Sequence, residues 1–476
     1  MAVHALLFPW PVQGHINPML HLASALLDAG LRVTFLHTEH NLRHLAGAPH
    51  DQRLRVLSVP DGLPDDHPRS VSGLMELFES MRTAGCAAFR ALLRAEAEVT
   101  CIVADGTMPF AVAAAQEAGV PALAFRTESA CGFLCYLSVP RLLELGELVS
   151  SDVEEPVRGV PGMEGFLRRC DLPRVAPSSD TDPVPVLLAV AGTAARCAEE
   201  PQAVILNTAA SMEAETVARI ASRVRGEVFT VGPLHAMHHR HAAGAEEVEP
   251  DDDDDGGCAA WLDGHADRSV VYLNLGSLTI LSAEQLAELL NGVAAAGYPF
   301  LCVLRVDMVS SDGGLLQASE VLRLREAAGE RALLVEWSAH RDVHRALRHR
   351  AVGCFLTHAG WNSVLEAAVA GVPMVCWPYF ADQQTVSRFV GAVWKTGLDM
   401  KDDVLDGAVV ARMVREAMED PGIRAAAKDM ARQLRMDVAP GGSSASDMER
   451  LVGFINDLSA GKDRSRDDVR NSSPAA

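Results

Sequence analysis

Short apolar runs, many of them β-branched, alternate with helical patterns along most of this chain. Residues 4–8, 31–36, 54–59, 101–104, 122–125, 204–206 and 228–231 read as strands. The first unit sets the pattern: a strand ends near Phe8, a loop covers 9–16, and over 17–29 Leu20, Ala23, Leu26 and Leu27 share one helical face before Gly30. Such alternation calls for βαβ units and a parallel sheet. After Gly232-Pro233 it stops, and a stretch rich in His, Ala, Glu and Asp runs to Gly257. Strand signals resume at 270–275, 300–304, 332–336, 353–357 and 373–377, with a helical stretch at 283–296. Over 443–458, Met448, Leu451, Val452, Ile455 and Leu458 form an apolar stripe. The expected organisation is an N-terminal domain (1–234), an acidic linker (235–257), a C-terminal domain (258–440), a helix in 441–460 returning to the N-terminal domain, and a disordered tail (461–476). The predicted fold class is α/β, two doubly wound domains facing a cleft, with ligands beyond the carboxyl ends of the strands.

Composition narrows the function classes. A length of 476 residues suits two large domains, and 49% hydrophobic with 22% charged residues is globular. The net charge of -21 argues against a duplex nucleic-acid binder, which needs a basic surface. Much of that excess belongs to one solvated loop, since Glu246, Glu247, Glu249 and Asp251 to Asp255 lie together. Ten cysteines without a CxxC pair predict reduced core thiols in a cytoplasmic protein. The start of the chain lacks a basic n-region and meets Pro9 and Pro11 early, so no signal peptide is read. No run of about 18 apolar residues predicts a membrane span. His235, His238, His239 and His241 have metal-like spacing, but in a linker without a fold to fix them, so no metal site is expected.

The most informative segment begins at Trp337 and ends at Gln383. It contains Gly353-Cys-Phe-Leu-Thr-His-Ala-Gly-Trp-Asn-Ser-Val-Leu-Glu366, then Gly371-Val-Pro373 and Pro378-Tyr-Phe-Ala-Asp-Gln383. This reads as a strand, a Gly-containing turn and a helix starting near Trp361. Backbone N–H groups at such a helix start, with Asn362 and Ser363, suit a diphosphate, and His358 can add a donor or a positive charge. Glu366 shares a face with Asn362 and, as an acceptor, suits ribose hydroxyls. A bare strand-turn-helix would by itself favour a capped helix with a buried histidine.

The full string resembles the signature of the plant secondary-product glycosyltransferases, family 1 UDP-sugar glycosyltransferases. Phe8-Pro-x-x-x-x-Gly-His-Ile-Asn-Pro-Met-Leu20, Asn207-Thr208 with Glu213, Val231-Gly-Pro233, Trp261-Leu-Asp263 and Gly276-Ser277 extend the likeness over nearly the whole chain. The resemblance implies a GT-B fold, UDP-glucose as co-substrate rather than a resident cofactor, and an inverting, metal-independent transfer to a small terpenoid, flavonoid or phenolic acceptor. It implies that Trp337 stacks on uracil, with Ala339 and His340 beside the nucleotide. Glu366 would hold the ribose, and Ser277, His358, Asn362 and Ser363 the diphosphate. Trp361, Asp382, Gln383 and Thr127 would face the sugar, Gln383 favouring glucose.

By the same resemblance His15, in the loop after the first strand, is the base that takes the acceptor's proton, and Asp105 orients the imidazole. Taken alone, a loop histidine is simply exposed and a strand-end aspartate is a turn residue. Departures from the family pattern lie in Trp337-Ser-Ala-His340, where the family has Trp-Ala-Pro-Gln, and in three additional residues, His344-Arg345-Ala346. They motivate an alternative, a catalytically silent nucleotide-sugar-binding protein. Arg126 stands where many members have Trp. Together with Val160-Pro-Gly-Met-Glu-Gly-Phe-Leu-Arg-Arg169 and Asp171-Leu-Pro173 it looks like the branch that includes iridoid (7-deoxyloganetic acid) glucosyltransferases. Its guanidinium could hold an acceptor carboxylate or pair with a neighbouring Glu or Asp.

Overall fold

Leu6 and Phe8 of the first strand face one apolar cluster and Ala5 and Leu7 another, so both faces of the sheet they enter are covered. That is the condition under which parallel strands read as continuous apolar runs. In the computed structural model, residues 3–43, 53–67, 69, 73–96, 98–149, 152–175, 183–237, 257–304, 308–311, 314–315, 331–336, 346–401 and 405–471 are described. They divide into two units: one comprises 1–137, 188–247 and 436–476, the other 138–187 and 248–435.

The first unit holds a seven-stranded sheet of β1 (His4–Phe8), β2 (Arg32–Thr38), β3 (Leu54–Val59), β4 (Cys101–Asp105), β5 (Ala122–Arg126), β6 (Ala203–Leu206) and β7 (Glu227–Thr230). Its order is β3-β2-β1-β4-β5-β6-β7, all parallel. Strand order reverses between β1 and β4, the crevice where doubly wound sheets bind ligands. The second unit contains β8 (Val270–Asn274), β9 (Leu281–Ser282), β10 (Phe300–Leu304), β11 (Val309–Ser311), β12 (Gly314–Leu315), β13 (Ala332–Glu336), β14 (Val352–Thr357), β15 (Met374–Cys376) and β16 (Gly397–Asp399). Its six-stranded parallel sheet runs β13-β10-β8-β14-β15-β16, with the reversal between β8 and β14; β12-β11-β9 form a separate small sheet. Val271, Leu273, Cys302, Leu304, Cys354 and Leu356 pack there against Leu286, Leu289 and Val293 of the helix Ala283–Ala296. That helix starts with a reciprocal Ser282/Gln285 cap and stops at left-handed Gly297.

Three boundaries differ from the sequence reading. The first helix covers Gln13–Asp28, so His15 sits in its first turn and not in a loop; Pro18 is accommodated inside it. Residues 138–187 pack with the second unit, where the buried Asp171 pairs with Arg388 and Lys401. The helix Ser443–Asn471 is continuous through the first part of the tail expected to be disordered, and 472–476 lie outside the described residues. All ten cysteines are buried and unbridged. Most of the linker, with His238, His239 and His241, lies outside the described residues.

Candidate active site

In the first unit β1 and β4 are paired, Phe8 beside Ala104, and their carboxyl ends bring His15 and Asp105 together. His15 Nδ1 lies 2.8 Å from Asp105 Oδ2 and 2.9 Å from Thr127 Oγ1. Asp105 is 1% exposed and accepts three further hydrogen bonds, from the Trp10 N–H (3.2 Å), the Thr107 N–H (2.9 Å) and the Thr107 hydroxyl (2.7 Å). Burial alone would raise its pKa; the charge and hydrogen bond of His15 and the two hydrogen bonds from Thr107 outweigh it and hold the carboxyl below its usual value. An ionised Asp105 fixes the proton on Nδ1, which turns the lone pair of His15 to Nε2. Trp10 and Thr107 carry no signal of this role in the sequence beyond their places just after β1 and β4.

Arg126, at the end of β5, is 3% exposed. Its Nη2 donates to Glu128, its Nη1 donates to the Gly106 carbonyl at 2.9 Å, and its guanidinium lies 4.5 Å over the Phe133 ring. A Cβ on Gly106 would come within 2.3 Å of the arginine Cδ, so glycine there makes room for the side chain. The structure thus places Arg126 in a local ion pair, the second of its two sequence readings. Glu213, buried, accepts from the N–H groups of Ala130 and Cys131 and from Thr208 Oγ1, fixing the start of the helix Ala130–Glu144.

In the second unit the carboxyl ends of β8 and β14 are adjacent, Asn274 beside Thr357. The turn after β8 carries Gly276 and Ser277; the turn after β14 carries His358, Ala359 and Gly360 and leads into the helix Trp361–Ala370. The His358 imidazole lies between two glycines: a Cβ on Gly276 would come within 2.5 Å of the ring, and one on Gly360 within 2.3 Å of Nε2. Gly276 also has φ +75°, and Ala359 adopts φ 61°, a left-handed conformation uncommon for alanine. Gly360, at the N-cap position, offers no side-chain acceptor to the helix start.

Asn362 and Ser363 occupy the first turn of this helix, and Glu366 follows on the Asn362 face, half-buried. Burial pushes the Glu366 carboxyl up to about 8, with Arg348 only partly offsetting it. Trp361 is buried against Trp394, ring centroids 6.0 Å apart. Asp382 and Gln383 are buried beside the short helix Gln383–Arg388, and Gln383 Oε1 accepts from the N–H groups of Tyr379 (2.9 Å) and Phe380 (3.0 Å). Trp337, Ala339, His340, His344 and Arg345 lie outside the described residues; Ala346 is buried. Among the described residues no cluster of His, Cys, Asp or Glu has the arrangement of a metal site.

Two Rossmann-like units, one with a histidine tied to a buried carboxylate and one with a glycine-lined helix N-terminus, have the architecture of a GT-B glycosyltransferase. Residues 6–427 match the family described as UDP-glucoronosyl and UDP-glucosyl transferase, and the chain belongs to it. It is 37% identical to a 7-deoxyloganetic acid glucosyltransferase of Catharanthus roseus, covering 96% of this chain and 98% of the relative. It is 39% identical to a myricetin 3-O-rhamnoside 1,2-glucosyltransferase of Crocosmia x crocosmiiflora, covering 96% of each. Among solved structures it is similar to Os79 from O. sativa in complex with UDP, with TM-score 0.75 and 26% identity over 95% of this chain and 100% of that one.

Proposed function

We propose that this protein transfers glucose from UDP-glucose to a hydroxyl or carboxyl of a small, largely apolar plant metabolite, giving the β-glucoside. The observation that carries the proposal is the His15–Asp105 pair at the point where strand order reverses. With Nδ1 committed to Asp105, Nε2 of His15 takes the proton of an acceptor hydroxyl as its oxygen attacks the anomeric carbon. The bond from that carbon to the β-phosphate oxygen breaks on the opposite face, its electron pair leaves with UDP, and configuration inverts. A carboxylate acceptor is already ionised and needs no base. Thr127, with its Oγ1 2.9 Å from His15 Nδ1, would orient the imidazole.

On the donor side, Ser277, His358, Asn362, Ser363 and the start of the helix Trp361–Ala370 would hold the diphosphate. Glu366 would accept from the ribose hydroxyls, Trp337, Ala339 and His340 would meet the nucleotide, and Trp361, Asp382 and Gln383 would meet the sugar. Relatives named for 7-deoxyloganetic acid and for a myricetin rhamnoside support terpenoid, flavonoid or phenolic acceptors. No helix among the described residues is long and apolar enough to cross a membrane, and we place the reaction in the cytoplasm. The test is mass-spectrometric screening of such acceptors with UDP-glucose. A hexose adduct with release of UDP is expected; UDP-glucose binding without transfer to any of them would identify a silent nucleotide-sugar-binding protein.

A further inference from the structure

Residues 166–174 come from the N-terminal half of the sequence yet fold in the second unit, where they grip the segment that contains Asp382 and Gln383. We propose that this strap is a positioning element for the donor sugar: it holds Asp382 and Gln383 in register and so contributes to selectivity for glucose over its epimers. The inference rests on the glucosyl-transfer reading above and names what sets the geometry of its sugar subsite.

The grip falls on both sides of the pair. On the amino-terminal side, Arg174 and Ala381 exchange backbone hydrogen bonds, Arg174 N–H to Ala381 O at 3.0 Å and Ala381 N–H to Arg174 O at 2.7 Å. Ala381 has φ 57°, a conformation that an alanine keeps only where its surroundings over-determine it. On the carboxyl-terminal side, Thr385 Oγ1 donates to the Asp171 carbonyl at 2.7 Å and Arg388 Nε to the Phe166 carbonyl at 3.0 Å. The Phe166 ring meets Phe389 edge-on, centroids 5.3 Å apart.

Between these points lies a charge cluster built around the buried Asp171. The Asp171 carboxylate is paired with Arg168 (3.0 Å), Arg388 (3.4 Å) and Lys401, and Lys401 also donates to the Gln384 carbonyl at 2.8 Å. Asp399 completes the cluster, 3.3 Å from Arg168 and 3.4 Å from Lys401. Residues 381, 384, 385 and 388 are therefore each anchored, directly or through Lys401, to the strap. Gln383 in turn commits its carbonyl oxygen to Tyr379 and Phe380, which leaves its amide NH₂ as the donor to offer a sugar hydroxyl. A hydroxyl of inverted configuration is distinguished only if that amide cannot follow it.

Truncating Asp171 would leave three half-buried cations without their shared carboxylate and endanger folding, so the test uses two lighter changes. Thr385→Val removes one hydrogen bond at nearly constant volume, and Arg174→Pro removes the N–H that reaches Ala381. Arg174→Ala, which keeps that N–H, is the control. Calorimetry gives the affinities for UDP and UDP-glucose, and steady-state assays compare kcat/KM for UDP-glucose and UDP-galactose. Thr385→Val and Arg174→Pro should leave UDP affinity within about twofold of wild type. Each should cut both the affinity advantage of UDP-glucose over UDP and the glucose preference by about three- to tenfold, the effect of one lost hydrogen bond. Arg174→Ala should keep both. Equal losses for UDP and UDP-glucose, or unchanged ratios in folded variants, overturn the proposal; Thr385→Val decides it if Arg174→Pro does not fold. A wild-type protein that binds UDP-glucose but glucosylates no acceptor overturns the function reading instead, and the binding comparison still decides the role of the strap.

Discussion

At the scale of single residues, the proposed chemistry depends on which nitrogen of His15 holds its proton. Asp105 fixes it on Nδ1 at 2.8 Å, and four contacts fix Asp105. His15→Ala should lower kcat by ~10²-fold or more on an alcohol acceptor and leave UDP affinity unchanged; retained turnover would remove His15 from the mechanism. Asp105→Asn should lose activity by a similar factor, because an amide can present its NH₂ to Nδ1 and select the other tautomer. Glu366 gives a prediction in pH. Its carboxyl stays protonated up to about 8 in the fold, against 4.5 as the ordinary value, so the folded state binds the extra proton and stability falls as pH rises from about 4.5 through about 8. The melting temperature of Glu366→Gln should exceed that of wild type above about pH 8 and match it near about pH 4.5. Ribose hydroxyls donate to the ionised form, so wild-type UDP affinity should rise with pH up to about 8 and that rise should vanish in Glu366→Gln; a slope shared by both proteins would put the titration elsewhere. His15 and Asp105 were singled out because one comes soon after β1 inside a recognisable string and the other ends the apolar run of β4. That Arg126 pairs with a neighbouring acid, here Glu128, was one of its two readings, since spacing does not tell which way a guanidinium turns.

At the scale of elements, strand positions were legible wherever burial on both faces leaves a continuous apolar run. The sequence reading of 54–59, 300–304 and 332–336 coincides with β3, β10 and β13. The short β9, β11, β12 and β16 were missed, being two or three residues long with no pattern to detect. The first helix was read over 17–29 from the apolar face of Leu20, Ala23, Leu26 and Leu27, whereas it begins at Gln13, about one turn earlier. The strap was unreadable for another reason: Asp171 and Lys401 are 230 residues apart. Glycines at the proposed donor site act through close approach to His358. Gly276→Ala would put a Cβ within 2.5 Å of His358 at φ +75°, so it should weaken UDP binding by about tenfold or more through ~1–3 kcal/mol of strain and displacement. Calorimetric titration with UDP checks this, and wild-type affinity would show that His358 is not needed in that place.

At the scale of the whole molecule, neither unit is one continuous stretch of chain. The first is completed by residues 436–476, which return to it after the second has been built. Leu451 and Ile455 are fully buried and Met448 nearly so, in the same cluster as Leu7, Val33 and Val103. Asp447 accepts from the N–H (2.9 Å) and hydroxyl (2.8 Å) of Thr230 at the end of β7, and Ser444 Oγ donates to the Gly232 carbonyl at 2.6 Å. Burying a leucine, isoleucine or methionine side chain stabilises by ~1.5–3 kcal/mol each. Three of them therefore contribute an amount comparable to the ~5–15 kcal/mol by which a domain is stable. Ending the chain after Arg435 should consequently abolish cooperative unfolding of the first unit, although every residue of its sheet, His15 and Asp105 is still present. Leu451→Ala, milder, should cost ~2–5 kcal/mol, read as a lowered urea midpoint in a fluorescence titration. A truncated protein with the wild-type midpoint would mean that the helix covers the sheet without stabilising it. The predicted outcome is loss of transfer activity in the truncated protein together with the fold of the first unit, while the second unit, which contains none of the deleted residues, still binds UDP.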